Sequence, residues 1–252
     1  MKILLTIQYV GTCYAGYQVQ NNGITIQGCL TEAAERLFGF PCDITGCSRT
    51  DSGVHANMFC ATVTRKGCPD IETTLPQDKL PRVMNSFLPG DISVISAAWV
   101  SEEFHPRYDV KYKEYVYKIW NKPEKNPFLN GRAWHYPREI SEEKICEMRR
   151  AAALFVGTYD FSSYMAQGSS VSDTVRTINY ADVTKEGDLI TFRVAGNGFL
   201  YNMVRIMTGT LISVAEGKIN DSDIPKITEA RDRRMAGITA PADGLYLNKV
   251  VY

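Results

Sequence analysis

The chain has 252 residues, 44% of them hydrophobic and 22% charged, with 28 basic side chains against 28 acidic. That balance is ordinary for a globular protein with one large core or two modest ones. A net charge of zero weighs against a nucleic-acid partner unless a basic cleft is offset by an acidic back.

No stretch reaches the ~18 consecutive apolar residues that mark a transmembrane helix. The apolar start Ile3-Leu4-Leu5 is broken by Thr6, Gln8 and Tyr9, and no small-residue cleavage site follows, so a signal peptide is not expected. Seven cysteines (Cys13, Cys29, Cys42, Cys47, Cys60, Cys68, Cys146) never take the C-x-x-C spacing, and the three histidines, His55, His105 and His135, lie far apart. That leaves no credible zinc set; free thiols in a reducing cytoplasm are expected.

Residues 2–9 alternate, with Ile3, Leu5, Ile7 and Tyr9 on one face, which predicts a half-buried strand. A polar loop over Gly11–Gly23 carries Tyr14, Tyr17 and Gln18. Thr25 then caps a helix whose buried side is Ile26, Leu30, Ala33 and Leu37, ended by Gly39. A short strand, a loop over Gly46–Ala56 and an alternating strand near Asn57–Arg65 come next. Leu80, Met84 and Phe87 mark a helix stopped by Pro89-Gly90, and Ile92–Val100 reads as a strand.

Phe104–Asp109 is a junction, and Lys111–Trp120 favours strand strongly. Asn121–Asn130 is a loop. Ser141 caps a helix of about fourteen residues; Ile145, Met148, Ala152 and Phe155 line its buried side, and Glu142 and Glu143 suit its positive end. Arg176–Thr184 and Leu189–Ala195 form a hairpin around Glu186-Gly187-Asp188. Phe199–Glu216 is the longest predicted helix, closed by Gly217; a short helix begins near Pro225 and Leu245–Tyr252 is the last strand. The second half repeats the strand-and-helix grammar of the first without a sequence repeat. The expected fold class is therefore α+β, in two related-looking lobes, 1–104 and 105–252, of mainly antiparallel sheet flanked by helices.

One loop carries more polar chemistry than a connection needs. Gly46-Cys47-Ser48-Arg49-Thr50-Asp51-Ser52-Gly53-Val54-His55-Ala56 holds an Arg, an Asp, a His and two Gly with little to bury. By itself it reads first as an Asx-type turn at Asp51. If locally extended, Arg49 and Asp51 share a face, and a guanidinium beside a carboxylate favours the ionised form that a nucleophile or general base requires.

Arg49-Thr50-Asp51-Ser52-Gly53-Val54-His55-Ala56 closely resembles the R-T-D-A-G-V-H-A active-site motif of the tRNA pseudouridine synthase A (TruA) family, with Ser52 as the one difference. Just upstream, Gly46-Cys47-Ser48 stands where that family reads Gly-Ala-Gly. Three further segments are similar to family motifs, in the same order. Lys113-Glu114-Tyr115-Val116-Tyr117 matches R-x-Y-x-Y, with Lys113 for Arg. Met203-Val204-Arg205-Ile206-Met207-Thr208-Gly209 matches the M-V-R helix, and Ala240-Pro241-Ala242-Asp243-Gly244-Leu245-Tyr246-Leu247 the C-terminal ending. His105-Pro106-Arg107 echoes an H-x-R segment, and neither His55 nor His105 receives a catalytic role.

The resemblance implies a pseudouridine synthase fold, its two lobes set around a central active-site cleft, and an isomerase that needs no cofactor or metal. Its substrate would be tRNA, modified in the anticodon stem-loop at position 38, 39 and/or 40, and the enzyme a cytoplasmic homodimer. It places Asp51 as the catalytic aspartate, Arg49 where the target nucleotide leaves the stack, Tyr115 as stacking platform, Arg205 as partner of Asp51, and Leu245 as an apolar wall against the base. Without the family, Tyr115 reads as packing, Arg205 as a snorkelling side chain and Leu245 as part of an ordinary strand. Two other functions stay open at this level: a paralogue acting on another tRNA position or RNA, and a non-catalytic RNA-binding protein. Asn197-Gly198-Phe199, ahead of the Arg205 helix, is also a candidate to offer backbone N–H groups to a phosphate.

Overall fold

The computed structural model describes residues 1–21, 23–68, 70–168 and 171–252, which leaves Asn22 of the Gly11–Gly23 loop outside. The chain is α+β, with mostly antiparallel strands and five α-helices among the described residues, in two units: 1–111 with 247–252, and 112–246.

In the first unit, β1 (Lys2–Tyr9), α1 (Ile26–Phe38), β2 (Cys42–Gly46), β3 (His55–Arg65), α2 (Leu80–Asn85) and β4 (Ile92–Val100) follow in order. The sheet order is β4-β1-β3, and the last strand, β10 (Leu245–Val251), lies next to β3; β2 also pairs with β3. β1 lies antiparallel to β3, with Ile3 opposite Val63 and Leu5 opposite Ala61, so one face of both strands is wholly buried. Thr25 caps α1 by accepting from the Gly28 N–H, and Gly39 ends it with φ 76°. Ile26, Leu30, Ala33 and Ala34 are fully buried beneath it, each large side chain contributing roughly 1.5–3 kcal/mol. α2 stops at Asn85, so Phe87 lies beyond it and is exposed. The junction after β4 is a tight turn in which His105 Nδ1 accepts from the backbone N–H groups of Arg107 and Tyr108.

The second unit comprises β5 (Tyr112–Trp120), β6 (Trp134–His135), α3 (Glu142–Ala153), β7 (Gly157–Asp160), β8 (Val175–Glu186), β9 (Leu189–Gly196), α4 (Met203–Ala215) and α5 (Ile224–Ala230). Its strands run in the order β5-β9-β8-β7, with β6 parallel to β5. β8 and β9 form the expected hairpin, turning at Gly187 with φ 58°. The short strands β6 and β7 have no counterpart in the sequence reading: at two and four residues they are too brief for an alternation to register. Ser141 caps α3 as expected, through the Lys144 N–H. Phe155, Phe161, Tyr164 and Phe192 are wholly buried, and Phe155 meets Tyr164 edge-on at 5.2 Å.

α4 corrects the predicted helix over Phe199–Glu216. It begins at Met203, because Asn202 sits in the left-handed region with φ 59° and breaks the helical run. Leu200 is still buried, which is why its spacing looked helical.

Two substitutions in α1 separate packing from capping. Leu30→Ala should cost about 2–5 kcal/mol, and Thr25→Ala about 1 kcal/mol, in urea unfolding. Equal losses would contradict the account of how this helix is held.

Candidate active site

The Asp51 loop joins β2 to β3 and is fastened to the segment after β1. The Thr50 hydroxyl is buried and 2.8 Å from the Tyr9 hydroxyl, and the Thr50 carbonyl accepts from Tyr17 N–H at 3.1 Å. Ser52 Oγ donates to the Tyr14 carbonyl at 3.1 Å, and the Gly53 N–H reaches the same oxygen at 3.4 Å. Val54 N–H closes a turn onto the Asp51 carbonyl at 3.2 Å, with Gly53 at φ 81° supplying the positive angle that a type II turn needs in its third position. His55 is wholly buried and its Nδ1 accepts from Gly11 N–H at 3.0 Å, a structural post at the foot of β3.

Two of the loop's three departures from the family pattern, Ser52 and Cys47, gain local explanations. Ser52 uses its hydroxyl to anchor the turn. Cys47 is buried, its N–H donates to the Cys60 carbonyl at 2.8 Å, and its Sγ accepts from Cys60 N–H. Asp51 is half-buried at the tip of this framework, and Arg49 beside it is exposed.

In the second unit three separated motifs meet. Arg205 projects from the first turn of α4; its Nε donates to the Ala240 carbonyl at 2.7 Å and its Nη1 to Asn202 Oδ1 at 2.7 Å. Bonds this short are typical of a charged donor. In return, Ala240 N–H donates to the Arg205 carbonyl at 3.1 Å. From β5, the Tyr117 hydroxyl donates to the Pro241 carbonyl at 2.6 Å, so successive carbonyls of the Ala240-Pro241 segment are held by a helix and a strand. Burial pushes the Tyr117 hydroxyl well above its ordinary range, against the opposing pull of the nearby Arg205 charge. Further along α4, Gly209 lies so close to the Ile238 carbonyl that a β-carbon there would overlap it.

Tyr115 lies on β5 opposite Val194 of β9 and is buried, with its ring T-shaped against Phe199 at 4.9 Å. Leu245 is buried at the start of β10, and the Tyr246 hydroxyl next to it donates to the Arg132 carbonyl at 2.6 Å. Thus Arg49 and Asp51 share one loop of the first unit, while Tyr115, Arg205 and Leu245 are carried by the second.

The phosphate suggestion at Asn197-Gly198-Phe199 is not supported. These residues precede Asn202 and do not form the first turn of α4, and the Asn197 N–H is already bonded to the Thr177 carbonyl at 3.0 Å. What sequence reasoning missed is the grip of Asn202, Ala240 and Tyr117. An asparagine heading a helix reads as a cap, and nothing local reveals that its side chain turns to Arg205.

A family model described as tRNA pseudouridine synthase matches residues 5–109 and 151–252. Curated relatives match end to end. The tRNA pseudouridine synthase A of Ruminiclostridium cellulolyticum is 44% identical over 252 residues, and that of Caldicellulosiruptor bescii is 42% identical over 251. That of Thermoanaerobacter pseudethanolicus is 41% identical over 253, and each comparison covers 100% of this chain and 99% of the relative. The mixed, mostly antiparallel α+β fold is consistent with a pseudouridine synthase fold. This chain belongs to the tRNA pseudouridine synthase family.

The close approach at Gly209 gives a sharp test of the grip. Gly209→Ala should lower stability by about 1–3 kcal/mol through overpacking. Gly90→Ala, where a β-carbon meets nothing within 4 Å, should stay within about 0.5 kcal/mol of wild type. Indistinguishable denaturation curves for the two would remove the argument.

Proposed function

We propose that the chain converts uridine to pseudouridine in the anticodon stem-loop of tRNA, at position 38, 39 and/or 40, as a cytoplasmic homodimer. The reaction balances within the substrate. The N1–C1′ bond breaks, the base turns, C5–C1′ forms, and a proton leaves C5 while N1 gains one. No group is added and no electron is transferred, so the chemistry asks for a positioned carboxylate more than for a cofactor.

Asp51 is that carboxylate. The observation that carries the reading is its turn: a half-buried aspartate at the tip of a loop that Tyr9, Tyr14 and Tyr17 fasten from beneath. A fixed carboxylate loses little freedom when it meets C1′ or C6, which is how orientation lowers a barrier. The family resemblance assigns Arg205 as the counter-charge that favours the ionised form of this carboxylate. Arg49, exposed on the same loop, enters the space vacated when the target nucleotide leaves the stack. Tyr115 stacks on the displaced base, a contact worth ~1–3 kcal/mol, and Leu245 backs it as an apolar wall. A reducing compartment is supported by the seven free cysteines.

The test is to incubate the protein with unmodified tRNA transcripts and map pseudouridine by carbodiimide adducts and primer extension. Wild type should give new stops in the anticodon arm, and Asp51→Asn none, while both bind the tRNA. Stops elsewhere would move the target site, and no stops from wild type would overturn the enzymatic reading. Light scattering should give the mass of two chains; the mass of one would overturn the dimer.

A further inference from the structure

Asn202 departs from expectation twice, and both departures serve one contact. Its backbone lies at φ 59°, ψ 11°, a left-handed region that few side-chain-bearing residues adopt, asparagine more readily than most. It also occupies the N-cap position of α4 without making the side-chain cap bond for which asparagine is favoured there. The helix nonetheless starts normally, because the Asn202 carbonyl accepts from Ile206 N–H at 3.0 Å. The side-chain oxygen is turned to Arg205 Nη1 at 2.7 Å. Left-handed backbone at a residue other than glycine concentrates at functional sites, where the surroundings hold the strain in place.

We propose that Asn202 is a positioning residue for Arg205. Ala240 holds Nε and Asn202 holds Nη1, and bonds at two different nitrogens fix both the place and the plane of the guanidinium. A guanidinium is a rigid fork, so fixing its plane aims every remaining N–H. Without Asn202 the guanidinium loses one of the bonds that set its plane, and its aim loosens while its charge remains. This rests on the reading that Arg205 acts in the reaction, and the test separates the two.

The experiment measures single-turnover rate and KM on tRNA for Asn202→Gly, Asn202→His, Arg205→Lys and the Asn202→Gly/Arg205→Lys double variant, each first shown to be folded by circular dichroism. Glycine takes the left-handed backbone without strain and removes only the acceptor. Histidine tolerates that backbone and, well above its pKa of ~6.5, offers a neutral ring nitrogen as acceptor. Asn202→Gly should slow the rate about ten- to a hundredfold, the scale of a small misplacement. KM should stay within about twofold, since the loss falls on the transition state and not on uniform binding. Asn202→His should keep most of the rate. In the Arg205→Lys background, Asn202→Gly should cost little more, because the fork it aims is gone.

A wild-type rate for Asn202→Gly beside a slow Arg205→Lys would overturn the positioning role alone. So would a histidine variant as slow as glycine, additive losses in the double variant, or a glycine variant that cannot fold. A wild-type rate for Arg205→Lys would instead remove the proposed role of Arg205 itself.

Discussion

The second unit is organised by a two-way bond between Arg205 and Ala240, in which the guanidinium donates to the Ala240 carbonyl and the Ala240 N–H donates back to the Arg205 carbonyl. A charged side chain at the start of a largely buried helix is costly unless its donors are met, and here the acceptors come from the chain itself. The tail that supplies one of them must then follow α4 closely. The absence of a side chain at Gly209 permits that approach, and the Gly237 N–H bond to Thr210 Oγ1 at 2.9 Å reinforces it. Tyr117 takes the adjoining carbonyl from the strand side. The polar requirement of one arginine thus fixes a loop, a helix and a strand together.

The first unit solves a different problem, the display of a carboxylate on a loop without letting the loop wander. Its solution is backbone accounting. Carbonyls and hydroxyls on either side of Asp51 are tied to Tyr9, Tyr14 and Tyr17, and buried His55 anchors the exit into β3. In the proposed role of Asp51, rigid support beneath the turn lets the entropy of orienting the carboxylate be met by the fold and not at the moment of reaction. The aromatic character of the Tyr14–Tyr17 segment follows: Tyr17 stacks on Phe59 of β3 at 4.3 Å, which locks the supporting layer to the sheet.

The regular elements were largely legible because each carries its own period and stop signals. α1 runs from the Thr25 cap to Gly39, α3 starts at the Ser141 cap, and β1, β4, β5 and the β8–β9 hairpin lie where alternation places them. The misreadings lie at element ends and in elements too short to carry a period. Leu200 kept helical spacing, yet the helix waits for Met203 because the Asn202 backbone lies in the left-handed region, its side chain bonded to Arg205. Phe87 shared the spacing of Leu80 and Met84 but lies past the end of α2.

The sequence by itself determined the α+β class, most helices and strands, and the family, since the order Arg49-Thr50-Asp51 through Gly244-Leu245-Tyr246 is information held in residue identity alone. It also singled out the residues whose chemistry is in excess of packing. Only the tertiary structure decided how those residues are held: that the last strand returns to pair beside β3, that Ser52 and Cys47 anchor the loop, and that Ala240 and Asn202 grip Arg205. The reason is range. Caps and periods act within a few residues, whereas Arg205 and Ala240 are 35 residues apart; Asn202 lies only three from Arg205, but which way its side chain turns is set by where that guanidinium is held.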